Sequence, residues 1–186
     1  MKKLLFVLFF VACLTASAQS TWKVDAAHSN INFTVTHLLI SEVTGNFGTF
    51  EIEAMADDAF SNPTFNVTIE SASIDTGNER RDGDLRSEGW FGAEAYPKIE
   101  FKSTAVEKTG DKTFKLTGDF TMHGVTKSIE LNGKLNGIIT DRRSEKLKAG
   151  LKFTTTLKRS DFGVGGSMAP VSDDVEININ LEMVQQ

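Results

Sequence analysis

Three neighbouring residues near the start of the chain, Asp25, His28 and Ser29, have the types that a nucleophilic hydrolase needs. A serine nucleophile requires an imidazole base and a carboxylate that orients this base. Consecutive residues of a strand point to opposite faces, so His28 and Ser29 could not cooperate within one strand. The sequence also lacks the Gly-x-Ser-x-Gly turn of many serine hydrolases. We therefore predict no catalytic residue here and expect Asp25 to accept hydrogen bonds from backbone amides at a turn or strand start.

The three histidines of the chain, His28, His37 and His123, could in principle form a zinc site with an open coordination position. Two of them lie nine residues apart and the third precedes Gly124 in a predicted turn. This spacing does not require the three side chains to converge. We predict no metal and no cofactor, and we retain a metal-dependent enzyme that uses these histidines as an alternative hypothesis.

Arginines are the remaining residues with distinctive chemistry. Residues 80–88 form a mixed-charge cluster that includes Arg81, and Arg159 lies close to Asp161 nearer the C-terminus. The planar guanidinium fork matches the oxygens of a pyrophosphate or a quinone. Arg81 and Arg159 are therefore candidates for contact with a ligand head group. The glycine-rich residues 163–167 follow no strand-to-helix transition, which indicates a loop rather than a phosphate-binding turn.

Strands must position these residues, because apolar and polar side chains alternate with a period of two through most of the sequence. From Val175 to Met183, five apolar residues share one parity and only charged or amide side chains occupy the other. This pattern is typical of an antiparallel sheet with one solvated face. Turn signals such as His123-Gly124 and Asn136-Gly137 indicate short hairpins. The sequence predicts an up-and-down antiparallel sheet that closes into a barrel or curves into a sandwich.

One segment, residues 78–96, breaks the alternation. Leu85, Trp90 and Phe91 are spaced roughly as a helical apolar stripe that stops before Pro97. We predict a long connection that contains one short helix.

The N-terminus has the organisation of a secretory signal peptide. Two lysines precede an apolar stretch from Leu4 to Ala12 that is too short to span a bilayer, and the small residues Ala16-Ser17-Ala18 follow. We predict cleavage after Ala18, a single mature domain at residues 19–186 and a periplasmic or secreted location. The alternative is a lipid anchor on Cys13, because Val11-Ala12-Cys13 resembles a lipoprotein signal.

The composition of the mature chain excludes some classes of partner. Removal of Lys2 and Lys3 with the signal peptide changes the net charge from −5 to −7. Nucleic acid is therefore not an expected partner, because its binding needs concentrated positive charge. No integral membrane segment is predicted after signal removal. The mature domain contains no cysteine, so its core alone must stabilise it.

Phenylalanine accounts for most of the aromatic side chains, and eleven of the fourteen phenylalanines follow residue 18. This residue buries a large area without a polar atom, which suits either a solid core or an apolar tunnel. Gly118 and Gly133 fall on the inward parity of two predicted strands, where glycine favours a bend and interior space. The residues by themselves leave a filled and a hollow barrel both open.

Four blocks of sequence, in order along the chain, resemble the YceI-like family of exported lipid-binding proteins. They include Trp22–Phe33, followed by Val35-Thr36-His37 and Gly45-Asn46-Phe47; Arg81-Asp82 to Ser87, with Trp90-Phe91 and Tyr96–Ser103; Leu116–Lys127; and Arg159–Gly163 with Val171–Val175. The resemblance implies an eight-stranded antiparallel, lipocalin-like barrel with one short helical connection. It also implies an apolar tunnel that holds a polyprenyl lipid or the isoprenoid tail of a quinone. The sequence departs from the family pattern at Asp84 and at Gly89-Trp90.

The leading hypothesis is a protein without enzymatic activity that binds, carries or sequesters a polyisoprenoid or quinone lipid. Inward residues of the alternating strands are then expected to line the tunnel. These residues are Ile31, Phe33, Val35, Phe101, Phe114, Leu116, Phe120, Ile129, Leu131 and Phe153. Besides the metal-dependent enzyme, a stress-response interaction module with a filled core remains an alternative, and a homodimer is compatible with the sequence.

Overall fold

The computed structural model describes residues 19–166 and 170–186, and in these ranges the chain forms one antiparallel sheet with a single α-helix. The strands are β1 (Ser20–Val24), β2 (Asn30–His37), β3 (Ser41–Phe47), β4 (Phe50–Ala56), β5 (Thr64–Glu70), β6 (Ile74–Asp75), β7 (Lys98–Lys108), β8 (Thr113–Met122), β9 (Val125–Thr140), β10 (Leu147–Lys158) and β11 (Val171–Gln185), and the helix is α1 (Glu79–Arg86). The predicted signal peptide and Cys13 belong to residues 1–18 and lie outside the described residues.

The strands close into a barrel with eight positions. β1 and β2 both pair with β11, through Val24 opposite Met183 and Ile31 opposite Ile179, so they form one interrupted position. β3 and β4 pair with β2 and β1, and β6 and β5 pair in turn with β3 and β4. β7 to β11 complete the ring. The predicted eight-stranded antiparallel barrel is confirmed.

The break between β1 and β2 has a local cause. The Asp25 carboxylate accepts a hydrogen bond from the Ala27 amide (3.1 Å), which starts a short 3-10 helix at Ala26–His28. This is the N-capping role expected for an aspartate whose side chain competes with the strand ladder. The prediction that Asp25 would bind a backbone amide at a turn is confirmed.

Aromatic side chains fill the end of the barrel that holds the β7–β8 and β9–β10 turns, here called the closed end. Trp22 is fully buried and contacts Phe60 edge to face, with ring centroids 5.1 Å apart. Phe153 makes similar contacts with Phe65 (5.4 Å) and Phe114 (5.7 Å). Such aromatic pairs add stabilisation to the burial of their large apolar area. This half of the barrel is therefore a solid core.

The two inward glycines do not leave interior space, contrary to the expectation from sequence. A Cβ atom on Gly118 would lie 2.5 Å from the Phe101 ring, and one on Gly133 would lie 2.4 Å from the Phe114 ring. Each phenylalanine ring therefore covers the glycine on the neighbouring strand. The glycines are required for this close approach of ring and backbone.

The helix α1 lies at the opposite end of the barrel, here called the open end, and confirms the predicted short helix. It ends at Arg86, so Trp90 and Phe91 of the predicted apolar stripe follow the helix rather than belong to it. Asn78 caps its N-terminus by accepting a hydrogen bond from the Arg81 amide (3.1 Å). The buried Asp82 carboxylate accepts from the Thr76 amide (2.9 Å), and Arg86 donates to the Ala72 carbonyl (2.7 Å). Polar contacts thus attach this short helix to β6 and the segment before it. No helix within the described ranges is both long and apolar enough to cross a bilayer.

Candidate functional site

A cavity of about 610 Å³ occupies the open half of the barrel. Most of the residues around it are apolar and come from the inward faces of the strands, while α1 and the segment after it cover part of the opening. The apolar wall consists of Ile31, Phe33, Val35, Val43, Phe47, Ile52, Val67, Ile69, Ile74, Leu85, Trp90, Phe91, Ile99, Phe101, Phe120, Met122, Ile129, Leu131, Leu157, Val164, Val171, Val175, Ile177, Ile179 and Leu181. A filled interior therefore describes only the closed half.

Seven of the ten predicted lining residues lie on this wall. They are Ile31, Phe33, Val35, Phe101, Phe120, Ile129 and Leu131. The other three, Phe114, Leu116 and Phe153, are buried in the solid core of the closed end. The alternation of a strand indicates which face points inward but not how deep along the barrel axis a residue lies. This difference in depth separates the two groups.

Residues that the sequence argument passed over make up much of the wall. Val175, Ile177 and Ile179 of β11 have the same inward parity as the predicted set, so the alternation could have identified them. Phe47 and Phe91 could not be paired from sequence. Their rings meet edge to face with centroids 5.8 Å apart and join β3 to the connection after α1.

Seven polar residues also line the cavity, and several of them belong to elements at the open end. We call these seven residues the polar rim. The polar rim consists of His37, Thr76, Arg81, Asp84, Ser87, Thr155 and Arg159. Arg81 donates from Nε to the Thr76 hydroxyl (2.7 Å) and from Nη2 to the Thr76 carbonyl (2.8 Å). These bonds fix its guanidinium at the cavity wall, where the polar rim presents both donors and acceptors to a ligand.

Arg159, the second predicted head-group residue, is buried with 7% of its surface exposed. Its Nη1 donates to the carbonyls of Val164 and Gly166 (2.8 Å each), and its Nε donates to the carbonyl of Ser172 (3.0 Å). A fourth bond joins Nη2 to the Val171 carbonyl (3.3 Å). The side chain therefore holds Val164 and Gly166 of the loop after β10 against the start of β11.

Trp90 packs against Arg159 and Gly165 at the open end. The Arg159 guanidinium lies 5.8 Å from the centroid of the Trp90 ring, a cation–π arrangement. A Cβ on Gly165 would lie 2.6 Å from the same ring, and Gly165 has a φ of +74°. Only glycine satisfies both constraints without strain. Residues 163–166 of the glycine-rich segment thus form a loop, as expected, and Gly165 packs against Arg159 and Trp90.

The three histidines occupy separate environments. His37 belongs to the polar rim, whereas His123 is half-buried, with Nδ1 3.2 Å from the Phe162 carbonyl and its ring against Tyr96. In the described part of the chain, the only group of metal-ligating side chains within reach of one another is Asp25, His28 and Glu182. The structure therefore does not bring the three histidines together.

The group around Asp25 is an ion-pair network on the outside of the barrel. Lys148 Nζ lies 2.8 Å from Glu182, 3.8 Å from Asp141 and 4.0 Å from Asp25. The hydrogen bond from His28 lowers the pKa of Asp25, with smaller contributions from the Ala27 amide and Lys148. The hydrogen bond to Glu182 raises the pKa of Lys148. Lys148 offsets part of the negative charge of these three carboxylates, and the arrangement is that of an ion-pair network.

Comparison with known proteins places these features in context. The sequence-family model of the YceI-like domain matches residues 22–183 of this chain. A protein called YceI from Escherichia coli O157:H7 is 35% identical over 194 aligned positions that cover all of both chains. The crystal structure of a YceI protein from Campylobacter jejuni is 33% identical, with a TM-score of 0.75, and the alignment covers 88% of this chain and 96% of the other.

A more distant structural neighbour is a polyisoprenoid-binding domain from Saccharophagus degradans, implicated in plant cell wall breakdown. The identity is 17% and the TM-score is 0.67, and the alignment covers 89% of this chain and 98% of the neighbour. At this identity the likeness establishes a shared fold.

Proposed function

Because the chain belongs to the YceI-like family and its barrel encloses an apolar cavity, we propose that it binds, carries or sequesters a polyisoprenoid lipid outside the cytoplasm. The polyisoprenoid-binding description of the Saccharophagus degradans neighbour supports this choice of ligand class. The ligand is either a polyprenyl lipid or an isoprenoid quinone. The family and its neighbours favour a binding protein over an enzyme.

The observation that carries the proposal is the composition of the cavity wall, in which 25 of 32 lining residues are apolar. The volume of about 610 Å³ falls within the range of about 300–1,000 Å³ that is usual for small-molecule sites. Each methylene group that leaves water contributes about 0.8 kcal/mol, so a branched hydrocarbon tail binds without specific polar recognition. The apolar wall therefore suits a hydrocarbon tail as its ligand.

The polar rim gives the ligand an orientation. The tail occupies the apolar depth of the cavity, and an oxygen-rich head group lies at the open end beside Arg81 and Asp84. The Arg159 guanidinium contributes mainly by holding the β10–β11 loop that forms this part of the wall. The proposal therefore assigns direct head-group contact to Arg81 and indirect support to Arg159.

A matched pair of substitutions on β9 tests the site. Ile129 lines the cavity, whereas Ile139 on the same strand is 65% exposed. Ile129→Trp should fill part of the cavity and weaken polyprenol binding at least about tenfold, and Ile139→Trp should leave binding unchanged. Binding is measured by native mass spectrometry of protein from the exported fraction, followed by lipid extraction. A clean apo mass for the wild type, with no saturable binding of polyprenyl compounds, would refute the proposal.

The proposed location is the periplasm or the extracellular medium after cleavage behind Ala18. A soluble barrel could carry its ligand through water, whereas a barrel anchored by a lipid on Cys13 would present the ligand near one membrane. The N-terminal mass of the exported protein separates these two forms. A chain that starts at Gln19 indicates the free carrier, and a diacylated Cys13 indicates the tethered form.

A further inference from the structure

The hairpin between β2 and β3 ends in three consecutive exposed apolar residues. The exposed fractions are 56% for Leu38, 91% for Leu39 and 85% for Ile40, and we call these residues the apolar tip. A run of exposed apolar side chains at a turn is unfavourable for a soluble protein unless it has a function.

The backbone of the apolar tip is also costly for these residue types. The Ile40 amide donates to the His37 carbonyl (3.2 Å), so Leu38 and Leu39 occupy the centre of a tight turn. Their φ angles are +50° and +62°, in the region that favours glycine and asparagine. Tight hairpin turns with positive φ at both central positions are normally built from Asn-Gly or Asp-Gly. The chain thus keeps leucines where both solvation and backbone conformation disfavour them.

The apolar tip adjoins the entrance of the cavity. The strand before it contributes Val35 and His37 to the cavity lining, and the strand after it contributes Val43. The Leu38 amide donates to the carbonyl of Pro170 (2.7 Å), which connects the tip to the end of the β10–β11 loop beside the neighbouring strand β11. Whatever the apolar tip touches therefore lies at the open end of the barrel.

We propose that the apolar tip inserts into the surface of a lipid bilayer and places the open end of the barrel against it. Three side chains are far fewer than the roughly 20–30 residues a side of a standard protein interface, but a bilayer accepts a small apolar wedge without shape complementarity. The hairpin from Thr34 to Thr44 contains no lysine or arginine, so the contact is apolar rather than electrostatic. It is weak and reversible, because few apolar groups are inserted.

This inference deepens the proposed function and rests on it for its purpose, since an isoprenoid would pass between bilayer and cavity without crossing water. The docking itself is tested with vesicles of phosphatidylethanolamine and phosphatidylglycerol that contain no isoprenoid. The protein used has a measured mass that corresponds to a chain starting at Gln19, so that no N-terminal lipid contributes.

The decisive variant is Leu38→Asn/Leu39→Gly, which supplies the residues that this turn prefers and so does not endanger folding. Wild type should float with the vesicles, and the double variant should float at least about tenfold less. Ile139→Ser, which removes an exposed apolar residue near the closed end, should float like wild type. Flotation should persist in about 1 M salt, where the Debye length is about 3 Å.

The inference is overturned if wild type does not float, if the double variant floats as well as wild type, or if salt abolishes flotation. It is also overturned if the wild type is a dimer that the double variant dissociates, because the tip would then be a protein interface. Polyprenol binding in solution should be equal in wild type and the double variant. A wild type that binds polyprenol but does not float removes the docking role alone, and a wild type that floats without binding polyprenol supports docking while refuting the proposed function.

Discussion

Replacement of Arg159 by methionine is expected to destabilise the open end of the barrel. The arginine is almost fully buried, and it donates hydrogen bonds to the carbonyls of Val164, Gly166, Val171 and Ser172. Methionine has a similar length but cannot donate. The four carbonyls would have to find water at the cavity entrance or remain without these bonds.

The size of the effect follows from these contacts. Three of the bonds are 3.0 Å or shorter and the fourth is 3.3 Å, so the fourth is counted as weak. At a net value of about 1 kcal/mol for each of the three, with a further contribution from partly buried acceptors, Arg159→Met should cost about 3–4 kcal/mol. This is a large part of the roughly 5–15 kcal/mol that stabilises a typical domain. With a urea m-value of about 2 kcal/mol/M, the midpoint should fall by roughly 1.5–2 M.

The assay is equilibrium urea unfolding followed by tryptophan fluorescence. Trp22 reports on the closed end and Trp90 on the loop beside Arg159, so single-tryptophan variants distinguish local detachment of the loop from global unfolding. Arg86→Met is the matched control, because Arg86 also donates to two carbonyls but is exposed, and it should cost less than about 1 kcal/mol. Unfolding of Arg159→Met within about 0.5 kcal/mol of wild type, together with loss of polyprenol binding, would refute the reasoning and make Arg159 a ligand contact.

Two further predictions concern stability. Gly118→Ala should lower the free energy of unfolding in urea by about 1–3 kcal/mol, because the new Cβ would lie 2.5 Å from the Lys102 carbonyl oxygen. Gly137→Ala is the control and should change stability far less, since no atom lies within 4 Å of its Cβ. Equal effects of the two substitutions would contradict the packing argument. Hydrogen bonds lower the pKa of Asp25 and of Asp173 below the ordinary 3.8, so the stability that these carboxylates contribute is present above that pH and is lost as the pH falls through their folded-state pKa values. Asp173→Asn should make the free energy of unfolding less dependent on pH in this acidic range, and an unchanged pH profile would show that its hydrogen bonds do not distinguish the folded from the unfolded state.

Part of the site could be predicted from sequence because alternation reports the face of a strand. This information was sufficient for Ile31, Phe33 and Val35, whose inward parity places them on the cavity wall. It was insufficient for Phe114 and Phe153, which have the same parity but lie in the closed end. The helix presented a similar limit: its presence within residues 78–96 was predictable, whereas its attachment through the buried Asp82 was not.

The sequence by itself determined the strand pattern, the short helix and the family, because each depends on local side-chain periodicity or on motifs contiguous in the chain. Only the tertiary structure decided which of the reactive or ligand-binding side chains lie close enough to act together. His28, His37 and His123 could have formed one metal site, but three different parts of the barrel hold them apart. Arg159 lines the cavity as its sequence position could not show, and the loop after β10 together with the start of β11 brings four backbone carbonyls to its guanidinium. Contacts of this kind depend on barrel closure, which brings together residues that are far apart in sequence and therefore leaves no local signal.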